Sequence, residues 1–135
     1  MSTSPTTDGG LQKRAQPPGL GLRILVVDAS PYLGDVLVSA LEHEGCSAAV
    51  ARNAAQALHL SWTLSPDLIT VDLGRAFDDH FVARLPSIPL ILIAPSFRNV
   101  SPGLTERAAR VFEKPFYLSE VVAATLETLG RAAHP

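Results

Sequence analysis

RILVVDASPYLGDVLVSALEHEG, residues 23–45, carries two hydrophobic periods back to back. Ile24 to Val27 is a short β-branched and leucine run that stops at Asp28, as a strand would. From residue 31 to 44 the period changes. Leu33, Val36, Leu37, Ala40 and Leu41 fall at i, i+3, i+4, i+7 and i+8, which lines one face of a helix. Gly45 is placed to end that helix. A strand closed by an acid and followed by an amphipathic helix is the unit to look for in the rest of the chain.

Downstream, Cys46 to Ala51 is an alanine-rich strand, and Asn53 with Gln56 three residues later resembles a helix-opening cap before Ala54 to Leu64. Leu58 and Trp62 are assigned to the inner face of this second helix, and Pro66 closes it. Leu68-Ile69-Thr70-Val71 again runs into an aspartate, Asp72. Ile88 to Ile93, the most apolar stretch, reads as a strand buried on both faces. Only Asp78 to Leu85 lies between these strands as helix, which is short for a crossover. Residues 104–110 form another brief helix, Val111-Phe112 a last strand, and Leu118, Val121, Val122, Thr125, Leu126 and Leu129 a final amphipathic helix. Five strands alternating with five helices predict an α/β fold of three layers. Its core is a doubly wound, five-stranded parallel sheet with shortened third and fourth helices. Ligands of such sheets bind at the carboxyl ends of the strands, at the topological switch point. If the first and third strands are neighbours, Asp28 and Asp72 share that crevice at a strand spacing of about 5 Å.

At 135 residues the chain has the size of one domain, and a two-domain enzyme is excluded. Hydrophobic residues at 47% against charged residues at 18% supply enough apolar surface to offset the ordering entropy of folding. The net charge of −2 provides no positive field to collect phosphate backbones, so no nucleic-acid partner is expected. The single cysteine, Cys46, cannot form an internal disulfide, and no Cys/His set has zinc-ligand spacing. No segment has the pattern of an export signal or the roughly eighteen apolar residues of a membrane span. The expectation is a cytoplasmic protein without membrane contact. Residues 1–22, which hold four of the nine Gly and three of the eleven Pro, are expected to be a flexible tail. The domain then covers 23–135, with nine basic and twelve acidic residues.

Four blocks carry a resemblance: RILVVD with Pro31, PDLITVDL (66–73), IPLILIA (88–94) and EKPF (113–116). In this order and spacing they resemble the receiver domains of two-component response regulators, from Arg23 to about Leu129, which implies the flavodoxin-like strand order 2-1-3-4-5. The resemblance implies that Asp72 is the phosphoacceptor, Asp28 an acidic-pocket residue and Lys114 the cation that contacts the phosphoryl group. It makes Pro115 a candidate for a cis peptide that aims the ammonium into the site. Lys114 is one of only two lysines, Lys13 being the other, in a chain that uses arginine nine times. The family also uses Mg²⁺ to neutralise phosphoryl oxygens. The candidates to hold it are Asp28, Asp72 and the backbone carbonyl of Gly74.

Several positions depart from the family pattern. The second acid of the first strand's end, usually a direct metal contact, is Ala29. Ala94, followed by Pro95, replaces the Thr or Ser whose hydroxyl bonds the phosphoryl oxygen, leaving Ser96 as a substitute two residues on. Val111 replaces the aromatic that rotates with the switch. Arg75-Ala76 stand where Met-Pro is usual, and Arg75 would bring a positive charge and an anion contact beside Asp72. Two close carboxylates without a cation hold one of them above its usual range.

The resemblance thus implies a stand-alone receiver-like protein of phosphorelay signalling. It would work through protein–protein contacts with a histidine kinase or another two-component partner, with a homodimer left open. Because Ala29, Ala94 and Val111 degrade the metal site and the moving parts, phosphorylation-independent, pseudo-receiver behaviour is favoured over a conventional Mg-dependent receiver. The rival from another class is a small α/β phosphatase or hydrolase with Asp72 as nucleophile. It lacks a second acid two residues on, and no glycine-rich phosphate loop is present, so no enzyme is expected. The faces of the first helix that bear Asp35, Glu42 and Glu44 are read as solvent-facing. Phe112, Phe116 and Tyr117 are read as surface around the last strand or as core.

Overall fold

The structure, a computed structural model, describes residues 16–132. Strands β1 (Arg23–Val27), β2 (Ser47–Ala51), β3 (Leu68–Asp72), β4 (Leu90–Ala94) and β5 (Arg110–Glu113) form one sheet in the order β2-β1-β3-β4-β5. Every pairing is parallel. The helices are α1 (Leu33–His43), α2 (Ala54–Thr63), α3 (Asp79–Ala83), α4 (Pro102–Arg107) and α5 (Leu118–Thr128). Strand side chains alternate between two cores. Ile24, Val26, Leu68, Ile91 and Ile93 meet α1 and α5 through Leu37, Leu41, Val121 and Leu126. Leu25, Val27, Ile69, Val71 and Leu92 meet α2, α3 and α4 through Ala57, Phe81, Val82 and Leu104. This is the expected three-layer arrangement. No helix among the described residues is long and apolar enough to cross a membrane.

The third and fourth helices are as short as the spacing predicts, with five and six residues. Helices this short need outside partners for their end groups. Asp78 accepts from Phe81 N at 3.0 Å to open α3, and Ser101 accepts from Leu104 N at 3.3 Å to open α4. The Arg107 guanidinium then donates to Val82 O and Pro86 O, each at 2.6 Å, closing the carbonyls that a longer α3 would have satisfied itself. The fourth helix stops at Arg107 rather than at residue 110. Ala109 N donates to Leu90 O, and Arg110 already belongs to β5.

Three expectations are corrected. Trp62 is not on the inner face of α2 but 65% exposed, because the small side chains Ala57 and Ser61 occupy the innermost line and bring the helix close to the sheet. The tail assignment lies outside the described residues for positions 1–15, whereas residues 17–22 pack onto the domain. Gly19 N donates to Glu44 O at 2.7 Å, Ser47 N to Leu22 O at 2.8 Å, and Arg131 Nη1 reaches Pro18 O and Leu20 O. Only glycine fits at position 19, where a Cβ would lie 2.5 Å from Cys46 Sγ. Glu44, expected on the solvent face, is buried where this segment crosses the end of α1.

Candidate functional site

The register that pairs Val27 with Val71 brings the next residues, Asp28 and Asp72, side by side at the carboxyl end of the sheet. Asp28 N continues the ladder to Ala51 O at 3.0 Å, so its backbone is held as part of the sheet although the strand proper has ended. Its side chain turns inward, leaving the residue 3% exposed, and Oδ1 accepts from Ser30 N at 2.8 Å. Gly34 permits the close approach of α1. A Cβ there would stand 2.9 Å from Val50 Cγ2 and 3.2 Å from Asp28 Cβ. Lys114 follows β5, anchored by its N–H to Ala94 O at 2.9 Å, and the Lys114–Pro115 peptide is cis. Its Nζ lies 2.9 Å from Asp72 Oδ1 and 3.0 Å from Oδ2, the second contact with hydrogen-bond geometry. Three residues at the ends of three strands, 86 positions apart at the extremes, therefore form one cluster.

Burial holds the Asp28 carboxyl above the ordinary carboxylate range. The charge of Asp72 and a hydrogen bond to it push the same way, while Ser30 N–H and the Lys114 charge oppose them. The sequence predicts one raised carboxyl from like-charge repulsion; desolvation is the larger cause. A carboxyl raised in the folded state binds its proton more tightly there than in the unfolded chain. Its favourable contribution is complete below the unfolded value and is lost as pH rises through the folded one. Asp28→Asn keeps the oxygen that Ser30 N–H uses and removes the charge. Its thermal midpoint is expected to exceed that of the wild type at pH 7 by about 2–5 °C, with the gap closing toward pH 4. Thermal scans across pH check this. A variant less stable than the wild type at neutral pH would contradict it.

Other expected participants are absent from the cluster. Ala29 is exposed, and Arg75 is exposed with no ion pair to Asp72. The Gly74 carbonyl accepts from Phe77 N at 3.1 Å within a tight turn, leaving one lone pair for any other partner. Among the described residues no three His, Cys, Asp or Glu side chains gather as metal ligands. Asp28, buried, and Asp72, half-buried, nevertheless set two carboxyls against one ammonium. Magnesium ordinarily takes one or two carboxylates with water, so these residues fit a weakly held ion.

The loop after β4 has another arrangement. Ala94 is fully buried, and Ser96 Oγ accepts from Arg98 N at 3.2 Å, capping a 3₁₀ turn over Phe97–Asn99. Phe97 N donates to Glu113 Oε2 at 2.9 Å, which ties this loop to β5. Phe97 and Val111 line one groove of about 400 Å³. Sequence reasoning misses Glu113 here, and it also misses Arg52. The Arg52 guanidinium binds Ser30 O at 3.0 Å and Asp35 Oδ1 at 2.7 Å, pinning the loop that carries Asp28. A signal for Arg52 exists, since it follows β2 at the level where Asp28 follows β1.

No family model matches the chain. The DNA-binding response regulator MtrA of Mycolicibacterium smegmatis is 34% identical over 116 residues, covering 81% of this chain and 51% of that protein. Across the similar curated proteins the chain spans between 26% and 52% of their length. Among solved structures, a CheY-like receiver domain from Methylobacillus flagellatus superposes with a TM-score of 0.69 at 19% identity, covering 80% of this chain and 98% of that one. A Burkholderia pseudomallei response regulator with a phosphorylated aspartic acid and a calcium ion gives 0.64 at 21% identity, covering 80% and 70%. The strand order and the convergence of Asp28, Asp72 and Lys114 agree with the relatives' names, and the chain belongs to the receiver-domain family of two-component response regulators.

Proposed function

We propose that the chain acts in phosphorelay signalling as a receiver whose contacts with partner proteins do not depend on phosphorylation, while Asp72 keeps residual competence as a phosphoacceptor. The observation that carries this reading is the use of Ser96. With Ala94 in the hydroxyl position, the nearest hydroxyl along the loop is Ser96, and its oxygen is engaged by Arg98 N–H. That contact fixes Ser96 Oγ within the turn its own loop forms, and the Glu113 contact to Phe97 N ties the same loop to β5, which supports a loop that does not follow phosphorylation.

Acceptance itself asks little of the protein. An Asp72 carboxylate oxygen forms a bond to phosphorus while the P–N bond of a phosphohistidine donor breaks, its electron pair leaving with the imidazole. Lys114, already on both Asp72 oxygens, offsets the anion–anion approach. A magnesium ion on Asp28 and Asp72 supplies, when bound, further neutralisation of the phosphoryl oxygens. Asp72-Leu73-Gly74 offers no second acid to activate water, which supports a signalling role without turnover. A groove of about 540 Å³ opens beside Lys114, lined by Leu33, Val36, Pro115, Phe116 and Leu118. Tyr32 and Tyr117, neighbours of these residues in sequence, are 77% and 75% exposed. Exposed aromatics around an apolar groove support a protein partner such as a histidine kinase.

The second reading, a conventional Mg-dependent receiver, is favoured by the Lys114 contact to Asp72 at 2.9 Å. Amide spectra of the ¹⁵N-labelled chain with acetyl phosphate and Mg²⁺ separate the two. We expect shifts confined to the surroundings of Asp72, with residues 96–101 and 110–113 unchanged. Shifts spreading through both of those segments would establish the conventional receiver instead.

A further inference from the structure

The two edges of the sheet are treated differently. At one edge, β5 (RVFE) bears Arg110 and Glu113, its Arg110 guanidinium stacks 4.8 Å over the Phe112 ring, and Glu113 holds the 3₁₀ turn against it. Charge and cover of this kind protect an edge from pairing. At the other edge, β2 (SAAVA) has neither charge nor proline, and four of its five residues are exposed or half-buried. Beside it α2 carries no Asp, Glu, Lys or Arg, only His59 as a titratable side chain, and it presents Trp62, 65% exposed, next to the partly exposed Leu64. From Cys46 to Pro66 the only Asp, Glu, Lys or Arg is Arg52, and that guanidinium is already given to Asp35 and Ser30. A groove of about 400 Å³, lined by Ser47, Ala49, Thr63, Leu64 and Pro66, runs between the strand and the end of the helix. Arg23 closes one end of it with its guanidinium on Leu64 O.

We infer that this flank is the docking surface for a second copy of the chain, joined β2 to β2 about a twofold axis with Trp62 buried at the contact. The charge pattern selects the occupant. With Arg52 engaged within the chain and Arg23 held on Leu64 O at the groove's end, the flank offers little counter-charge to a charged partner, and it meets itself across a twofold with little like-charge repulsion. Antiparallel pairing of the two β2 strands satisfies their open backbone groups, and a lone exposed tryptophan is the residue type most often central to an interface.

Trp62 is the only tryptophan, so its emission reports the contact directly. Sedimentation and tryptophan emission of the chain are followed from about 5 to about 200 µM, a span that brackets ordinary homodimer constants. We expect a monomer–dimer equilibrium with a blue shift on concentration. Ser47→Lys, at an exposed edge position, should weaken the dimer at least about tenfold and abolish the shift. Trp62→Glu should weaken it similarly in sedimentation, with both variants keeping the wild-type thermal midpoint. Tyr117→Glu, on the other exposed aromatic, should leave the dimer intact. A wild type that stays monomeric at the highest concentration overturns the inference. So does a dimer indifferent to both flank variants, or one dissolved by Tyr117→Glu.

Discussion

Incubated with acetyl phosphate and Mg²⁺, the protein should gain the mass of a single phosphoryl group, slowly and on Asp72 alone, and Asp72→Asn should gain none. Two carboxyls stand at the strand ends, but they are not equivalent. Asp28 is only 3% exposed and has one oxygen fixed by Ser30 N–H, so an anionic donor reaches it less readily. Asp72 is contacted by the Lys114 ammonium on both oxygens and is the carboxyl able to approach an anionic donor. Asparagine keeps the shape of the side chain and can still accept from Lys114, yet it has no carboxylate oxygen with which to form an acyl phosphate. The effect is therefore all or none, while the fold is retained. Intact mass and a thermal scan on the same samples check both halves. A wild type without adduct at saturating donor removes Asp72 from phosphotransfer. An undiminished adduct in Asp72→Asn would move acceptance to another residue.

What sequence could reveal at this site follows from how parallel sheets are built. Strands that run the same way end at the same level, so aspartates placed after Val27 and Val71 had to meet once those strands were neighbours. The apolar run through Leu92 and the short span between Asp72 and Leu90 likewise dictated a central strand and a trimmed α3, because both are local counts of residues. Trp62 was misplaced because period alone does not say which of two adjacent lines on a helix faces inward. The small residues Ala57 and Ser61 took the inner line, and close packing decided it. The packing of residues 17–22 depends on Gly19 accommodating Cys46 Sγ and on Arg131, more than a hundred positions away, reaching two carbonyls. No window on the chain contains both partners. The same holds for Arg107, which closes α3 from α4, and for Glu113, which holds Phe97. At the site itself, residue types identified the acids and the lysine. The loop directions that engage Ser96 Oγ and the Gly74 carbonyl elsewhere arise only from the folded backbone.

Lys114→Ala should slow phosphoryl uptake by about 100-fold, the usual cost of removing one preorganised donor from a developing anion. The ammonium also shapes the resting site, since it bridges both oxygens of Asp72 while the Asp72 and Lys114 side chains are 12% and 38% exposed. Removing it leaves two adjacent carboxyls with no cation. The stability lost is expected to be only about 1 kcal/mol, because the half-open lysine was already partly screened by water. Magnesium should then act more strongly on the variant than on the wild type. With no ammonium on Asp72, a divalent ion no longer competes for its oxygens, so the Mg²⁺-dependent rise in thermal midpoint should grow as uptake falls. A merely structural lysine would move both measurements down together. Lys114→Arg should not rescue uptake, for a planar guanidinium cannot occupy the same point between both oxygens. Uptake by Lys114→Ala at the wild-type rate would show that the ammonium does not serve the acceptor. A Mg²⁺ response no larger than that of the wild type would show that lysine and metal do not compete for Asp72.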